Sequence, residues 1–318
     1  MDTTKWWMGL NNPHALTTDI DVGIIGVPYD GSVTHESGAA EAPRVLRKIS
    51  ADRWPLTENF INLKNLRVRD FGDVTVDNSN DMTTQKAVTE AVSPVVRAGA
   101  IPLVLGGDHS ITSAVVKAFD KELGILWMDA HPDLMDTYKG LKGKKESKWN
   151  HACALRRICE LPIVGMENVL ICGVRDFTPP ELEFIQENHI EVIYAQDLHC
   201  MSPAAVGERI GQKFINMPVY ISFDIDVLDP AYAPGTGAPI PGGVSSRFLL
   251  DVIFYLFEKE KEYLHTASHF LQVSGFDIME IAPPLDTGQI TSFAGISIIM
   301  NMLGYICLQR GLVDQPEN

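Results

Sequence analysis

Several things are scarce in this 318-residue chain, and each scarcity removes a class of function. Cysteine is one: Cys153, Cys159, Cys172, Cys200 and Cys307 include no CxxC pair. Spread over a chain of this length, they read as reduced and mostly buried thiols, not as a disulfide framework. Basic charge is also short. Lys and Arg number 26 against 41 Asp and Glu, a formal net charge of −15, and phosphate backbones require a basic face, so no nucleic-acid partner is expected. The opening MDTTKWWMGL has neither the basic stretch nor the apolar core of a signal peptide. No apolar run is read as approaching a membrane span, so no membrane partner is expected and the predicted location is cytoplasmic. Linkers rich in Pro, Gly or Ser, low-complexity tracts and internal repeats are missing too, which predicts one domain over 1–318.

With 45% hydrophobic and 21% charged residues, the chain has ample apolar surface for a large core. Short β-rich runs alternate with helical patterns. Strands are predicted at 22–27, 66–70, 101–105, 124–128, 169–174, 191–195, 219–223 and 272–276. Apolar residues at helical spacing predict helices at 84–98, 111–119, 203–214 and 246–259. Near-continuous apolar strands mean burial on both faces, which is how parallel α/β strands read. A three-layer α/β/α domain with an eight-stranded, mostly parallel sheet is expected, with a TIM barrel as the alternative.

Three strand ends carry metal-type ligands. LVLGGDHS places Asp108 and His109 after one strand, LWMDAHPD places Asp129, His131 and Asp133 at alternating positions after another, and ISFDIDVLD places Asp224 and Asp226 two apart. In extended backbone, residues i and i+2 point the same way, so each set can converge. Positions beyond the carboxyl ends of parallel strands are also where open α/β sheets bind ligands. Taken singly, a DxD after a strand is often a turn or cap, and GGDH a glycine turn with a capping Asp. Jointly, two imidazoles and at least four carboxylates make a mixed N/O donor set suited to hard or borderline divalent ions such as Mn²⁺. Carboxylates crowded together need cations between them, and a pair of ions can supply hydroxide at neutral pH.

GGDHS, DAHPD and SFDIDVLDP, with the trailing YAPGTGAPIPGG and the later SGFDIMEIAP, resemble the signature blocks of the ureohydrolase family, which includes arginase, agmatinase, guanidinobutyrase and formimidoylglutamase. The similarity runs from about Asp21 to the last helix and favours the open sheet over the barrel. It implies a binuclear manganese centre (Ni²⁺ or another divalent ion being the alternative). One ion would be held by His109, Asp129, Asp133 and Asp224, the second by His131, Asp129, Asp224 and Asp226. It further implies that Glu280 pairs with a substrate guanidinium and that His151, at the site mouth, transfers protons. Activated water would attack the guanidinium carbon, and the leaving amine would be protonated through Asp133 and then His151. Homotrimers or homohexamers are implied as well.

The sequence departs from arginase where arginase reads its amino acid. Met135 and Trp149 stand in place of two asparagines, and Thr178 in place of an aspartate. Arginase activity is therefore not expected; Met135 and Trp149 would form an apolar collar at the entrance. Ala238 replaces a threonine of the usual GTGTP, and SGAAEAP at Ser37–Pro43 is closer to formimidoylglutamase, although His151 is a guanidino-hydrolase feature. The reading is agmatinase-like hydrolysis to urea and an amine. The alternatives are a guanidino-acid hydrolase (guanidinobutyrase or guanidinopropionase), a guanidine hydrolase or a formimidoylglutamase, with a non-catalytic subunit behind them. KGLKGKKESK at Lys139–Lys148 is basic and polar and reads as an exposed loop. Its Lys142, Lys144, Lys145 and Lys148 are candidates to recognise a substrate carboxylate.

Overall fold

Eight parallel strands form one open sheet in the computed structural model, which describes residues 2–141, 146–263 and 268–313. They are β1 (Val22–Gly26), β2 (Val68–Asp73), β3 (Ile101–Leu105), β4 (Gly124–Met128), β5 (Val169–Cys172), β6 (Glu191–Ile193), β7 (Pro218–Asp224) and β8 (Gln272–Met279). Their order across the sheet is β2-β1-β3-β8-β7-β4-β5-β6. The sheet has two edges, so the barrel alternative does not hold. β1, β3, β4 and β5 are buried along their whole length. The edge strands β2 and β6 are only partly covered, as expected where one neighbour is missing.

Alternate side chains feed two cores. Leu103, Leu105, Leu126 and Met128 face one layer with the helices Ala42–Ser50, Pro203–Phe214, Ser246–Lys261 and Ile290–Gln309. Val104, Ile125 and Trp127 face the other, with the helices Asp81–Arg97, Thr112–Val116, Ala154–Cys159 and Pro179–Glu187. The period of two in an extended chain produces this sorting.

Two expectations are corrected. Helix Ile290–Gln309 is long and apolar enough, by length and composition, to cross a membrane, so an apolar run of that length does exist. In this fold 78% of its apolar window is buried inside the protein, where it packs against the neighbouring helices and β8. The stretch expected to be loop throughout contains a short antiparallel pair, Tyr138–Lys139 with Glu146–Ser147. Lys142, Lys144 and Lys145 lie outside the described residues, and Lys148 is exposed, its ammonium 5.2 Å from the centre of the Trp149 ring.

Register decides where the site can form. Leu105 of β3 pairs with Ile278 of β8, Met279 of β8 with Asp224 of β7, and Phe223 of β7 with Met128 of β4. The four central strands therefore end at nearly one level, and the turns that follow them meet.

Candidate metal centre

The turn after β3 carries His109. Its path depends on Gly107, where an added Cβ would lie 1.7 Å from the Tyr29 carbonyl oxygen. That close approach lets Asp108 N–H donate to Tyr29 O at 2.7 Å. Asp108 itself caps the turn, accepting from Ser110 N–H, and its other oxygen accepts from Ser32 N–H. The bland reading of GGDH thus holds for Asp108, whereas His109 enters the site.

The carboxylates arrive already half-satisfied. Asp129 Oδ1 accepts from His131 N–H and Oδ2 from Trp127 Nε1–H, at 2.6 and 3.0 Å. Asp224 Oδ1 accepts from Asp226 N–H, and Asp226 Oδ1 from Ala130 N–H. These bonds aim the remaining lone pairs inward. His109 Nδ1 lies 3.0, 3.1 and 3.4 Å from oxygens of Asp129, Asp224 and Asp133. His131 Nδ1 lies 3.1 Å from Asp226 Oδ2 and 3.4 Å from Asp129 Oδ1. All six residues expected as ligands are therefore brought together.

Two overlapping clusters result. The ligand atoms of His109, Asp129 and Asp133 fall within 4.8 Å of one another, as do those of Asp129, His131 and Asp226. Asp129 is common to both, and Asp224 joins the first through its contact with His109. His109 Nδ1 is fully buried yet has no hydrogen-bond partner despite three carboxylates around it. A buried nitrogen lone pair left open in this way fits a divalent cation. Titration behaviour agrees. Burial first, and then neighbouring carboxylates, push Asp133 and Asp224 well above the usual range. Burial opposes the cationic form of His109 and His131, but the adjoining aspartates raise both well above an ordinary histidine. Burial would likewise raise Asp129, yet the two neighbouring histidines hold it low. The cluster draws in positive charge, which a pair of ions would supply without protonating the ligands.

Glu280 follows β8, and His151 opens the turn leading into helix Ala154–Cys159. They touch: Glu280 Oε1 accepts from His151 Nδ1–H at 2.8 Å and from His109 N–H at 2.9 Å. Thr34 N–H points at His151 Nε2, 3.1 Å away, so Nε2 is the acceptor and the proton sits on Nδ1. Burial disfavours the His151 cation, but the Glu280 carboxylate outweighs it and raises the pKa. Asp133 and Glu280 both adopt positive φ, 51° and 60°. Side chains other than glycine rarely take that conformation, and it tends to collect at functional sites.

A cavity of about 430 Å³ opens above the cluster, with Asp133, His151, Met135 and Glu280 in its wall. Two of the departures from arginase meet there, because Thr178 Oγ1, whose proton goes to Glu181 Oε2, lies 3.1 Å from Met135 Sδ. Trp149 is a correction. It does not line the cavity; its backbone N–H donates to Ser147 Oγ, and the apolar wall comes from Met135, Phe177, Pro239 and Ile240. Sequence reasoning also passed over Thr34, Asp176, Glu181, Ser222 and Asp277. Only Asp277 carried a signal, as a charged residue within a strand buried on both faces.

A sequence profile of the arginase family matches residues 20–304. The mitochondrial guanidino acid hydrolase of Homo sapiens is 31% identical over 89% of this chain and 78% of its own length. An agmatinase of Bacillus anthracis is 31% identical over 91% and 93%. Among solved structures, the proclavaminate amidino hydrolase from Streptomyces clavuligerus superimposes with a TM-score of 0.84 at 27% identity, covering 95% of this chain and 97% of that one.

Proposed function

This chain belongs to the arginase family, and from that premise we propose an agmatinase-like ureohydrolase that uses two divalent ions, Mn²⁺ first among them, to cleave a guanidino C–N bond to urea and an amine. The charge of the cavity wall carries this reading. Among the described lining residues there are six carboxylates, Asp133, Asp176, Glu181, Asp224, Asp226 and Glu280, and neither lysine nor arginine. Three of the six belong to the metal centre. The others leave negative potential beside the centre and further along the cavity. A substrate cationic at both ends is favoured there, whereas a substrate carboxylate meets no counter-ion. Met135, Phe177, Pro239 and Ile240 offer apolar surface to a methylene chain.

When bound, the ions supply Lewis acidity, making hydroxide available from water near neutral pH. The chain's own groups do the rest. Glu280 is oriented before substrate arrives, since both of its hydrogen bonds fall on Oε1. Its Oε2 then accepts from the planar guanidinium, a charge-assisted contact that aligns the carbon under attack. Asp133 Oδ2, beside His109, takes the proton released from water and returns it to the leaving nitrogen. His151 holds one proton on Nδ1, next to Glu280; once Thr34 releases Nε2, that nitrogen takes up a second proton from solvent, and the imidazolium passes one proton to the leaving amine and returns to neutral.

A panel of agmatine, arginine, 4-guanidinobutyrate, 3-guanidinopropionate, guanidine and formimidoylglutamate tests the assignment. The Mn²⁺-loaded protein would be scored for urea, ammonia and formamide. The highest kcat/KM is expected for agmatine with urea released, and formamide as the main product would overturn the guanidino reading. One observation favours a guanidino-acid hydrolase as the second reading: Lys139 lines the outer vestibule beside Thr34, His35, Met135 and Tyr138. A cation there would lie on the approach of a substrate carboxylate.

A further inference from the structure

His109 offers its Nδ1 to the cluster, and what fixes that choice lies behind the ring. His109 Nε2 is 2.7 Å from Ser222 Oγ. Ser222 Oγ–H donates to Asp277 Oδ1 at 2.6 Å. The other Asp277 oxygen, Oδ2, accepts from Tyr220 OH at 2.7 Å and from Thr112 OH at 2.8 Å. His109, Ser222, Thr112, Tyr220 and Asp277 are all completely buried. The ring is also clamped face to face on Trp127, with centroids 3.9 Å apart and planes within 5°.

The direction of these bonds follows from counting protons. A carboxylate only accepts, so each of the three hydroxyls spends its single proton on Asp277. Ser222 has none left for His109 and must accept, which puts the imidazole proton on Nε2 and the lone pair on Nδ1. Without Asp277, Ser222 could donate to Nε2 instead, and the proton would move to Nδ1, facing the ions. We propose that Asp277 is a positioning residue that acts through Ser222 to fix the His109 tautomer and thereby sets the affinity of one of the two metal positions. This rests on reading the aspartate–histidine cluster as a binuclear divalent-metal centre. Outer partners of metal-bound histidines are typically worth about 10–100-fold in affinity.

Asp277→Asn is the informative variant because it keeps the shape and removes the acceptor-only character. Its carbonyl is expected to face the two donors Tyr220 and Thr112, leaving its NH₂ to donate to Ser222. Ser222 then donates to His109 Nε2, and the relay runs backwards. Ser222→Ala cuts the relay without touching Asp277. Tyr220→Phe removes a hydroxyl from Asp277 but leaves the relay intact.

Metal-free full-length protein would be titrated with Mn²⁺ by calorimetry and equilibrium dialysis, alongside its thermal midpoint and the imidazole ¹⁵N shifts of its histidines. The wild type is expected to bind two ions, and the metal-free protein, at a pH where His109 keeps only one ring proton, to hold that proton on Nε2. Asp277→Asn should weaken one ion about 10–100-fold, leave the other within about threefold, and move the His109 proton to Nδ1. Ser222→Ala should weaken the same ion, and Tyr220→Phe should not. If Asp277→Asn or Ser222→Ala lowers the thermal midpoint but binds both ions as the wild type does, Asp277 is only a brace and the proposal fails. A wild type that binds no divalent ion would instead remove the metal centre itself, and should Asp277→Asn not fold, Ser222→Ala decides alone.

Discussion

Replacing Glu280 by Gln separates the carboxylate's chemical role from its structural one. Glu280 Oε1 receives two hydrogen bonds, from His109 N–H and His151 Nδ1–H. The amide oxygen of Gln can occupy the same place and accept both, so the fold loses only the difference between a charged and a neutral acceptor, about 1 kcal/mol. In a domain of 318 residues that shifts the thermal midpoint by only about 1–2 °C. The positive φ at this position is unchanged by the substitution. Catalysis loses far more, because a planar cation in a buried, partly dry site would meet a neutral oxygen. The loss expected for such a charge-assisted contact is about 2–4 kcal/mol. At about 1.4 kcal/mol per factor of ten, kcat/KM should fall roughly 30- to 1000-fold. The assay is urea release from agmatine by Mn²⁺-loaded protein, with metal content and thermal midpoint measured on the same preparation. Near-normal kcat/KM at full metal occupancy would refute the reasoning and leave Glu280 as a strand-end residue that happens to meet His151.

Asp129 lies in both ligand clusters, so Asp129→Asn should cost turnover and at least one ion, while Asp224→Asn should do the same from the His109 side. Metal analysis finding one tightly held zinc in the wild type would overturn the binuclear reading. Chelation should abolish activity reversibly and lower the thermal midpoint, since metal at about 100 times its Kd stabilises by about 2.7 kcal/mol; equal midpoints with and without Mn²⁺ would argue against binding to the folded state. Changing Lys142, Lys144, Lys145 and Lys148 together to Gln should leave kcat/KM for agmatine and 4-guanidinobutyrate within about threefold, because an exposed lysine–carboxylate pair contributes only about 0–1 kcal/mol. A collapse confined to 4-guanidinobutyrate, in a wild type that prefers it, would move the assignment to a guanidino-acid hydrolase.

The order of strands was not written in any single stretch of the chain. Local pattern located all eight, because strands covered on both faces must be apolar throughout, and β3, β4 and helix Pro203–Phe214 appear with the predicted ends. Other ends differ, as in β2, found at Val68–Asp73, and β5, which stops at Cys172; one was missed because a polar residue is buried by its neighbours. β8 continues through Asp277 to Met279, since three hydroxyls from other elements satisfy that carboxylate. Helix Ile290–Gln309 was missed as an apolar run because polar residues punctuate it, of which Thr291, Ser292 and Asn301 are buried in the fold.

Six candidate N/O ligands, their i, i+2 spacing after strands and their place at strand ends were legible from local composition and backbone geometry alone. The sequence also determined the loss of the polar groups through which arginase reads its substrate. That those strand ends lie side by side came from the folded chain, because adjacency depends on long-range crossovers and register. Tertiary packing also withdrew Trp149 from the cavity and pinned His151 between Glu280 and Thr34. The proton on the far side of the His109 ring was settled in the same way, by Asp277, a residue 168 positions along the chain that meets His109 only through Ser222.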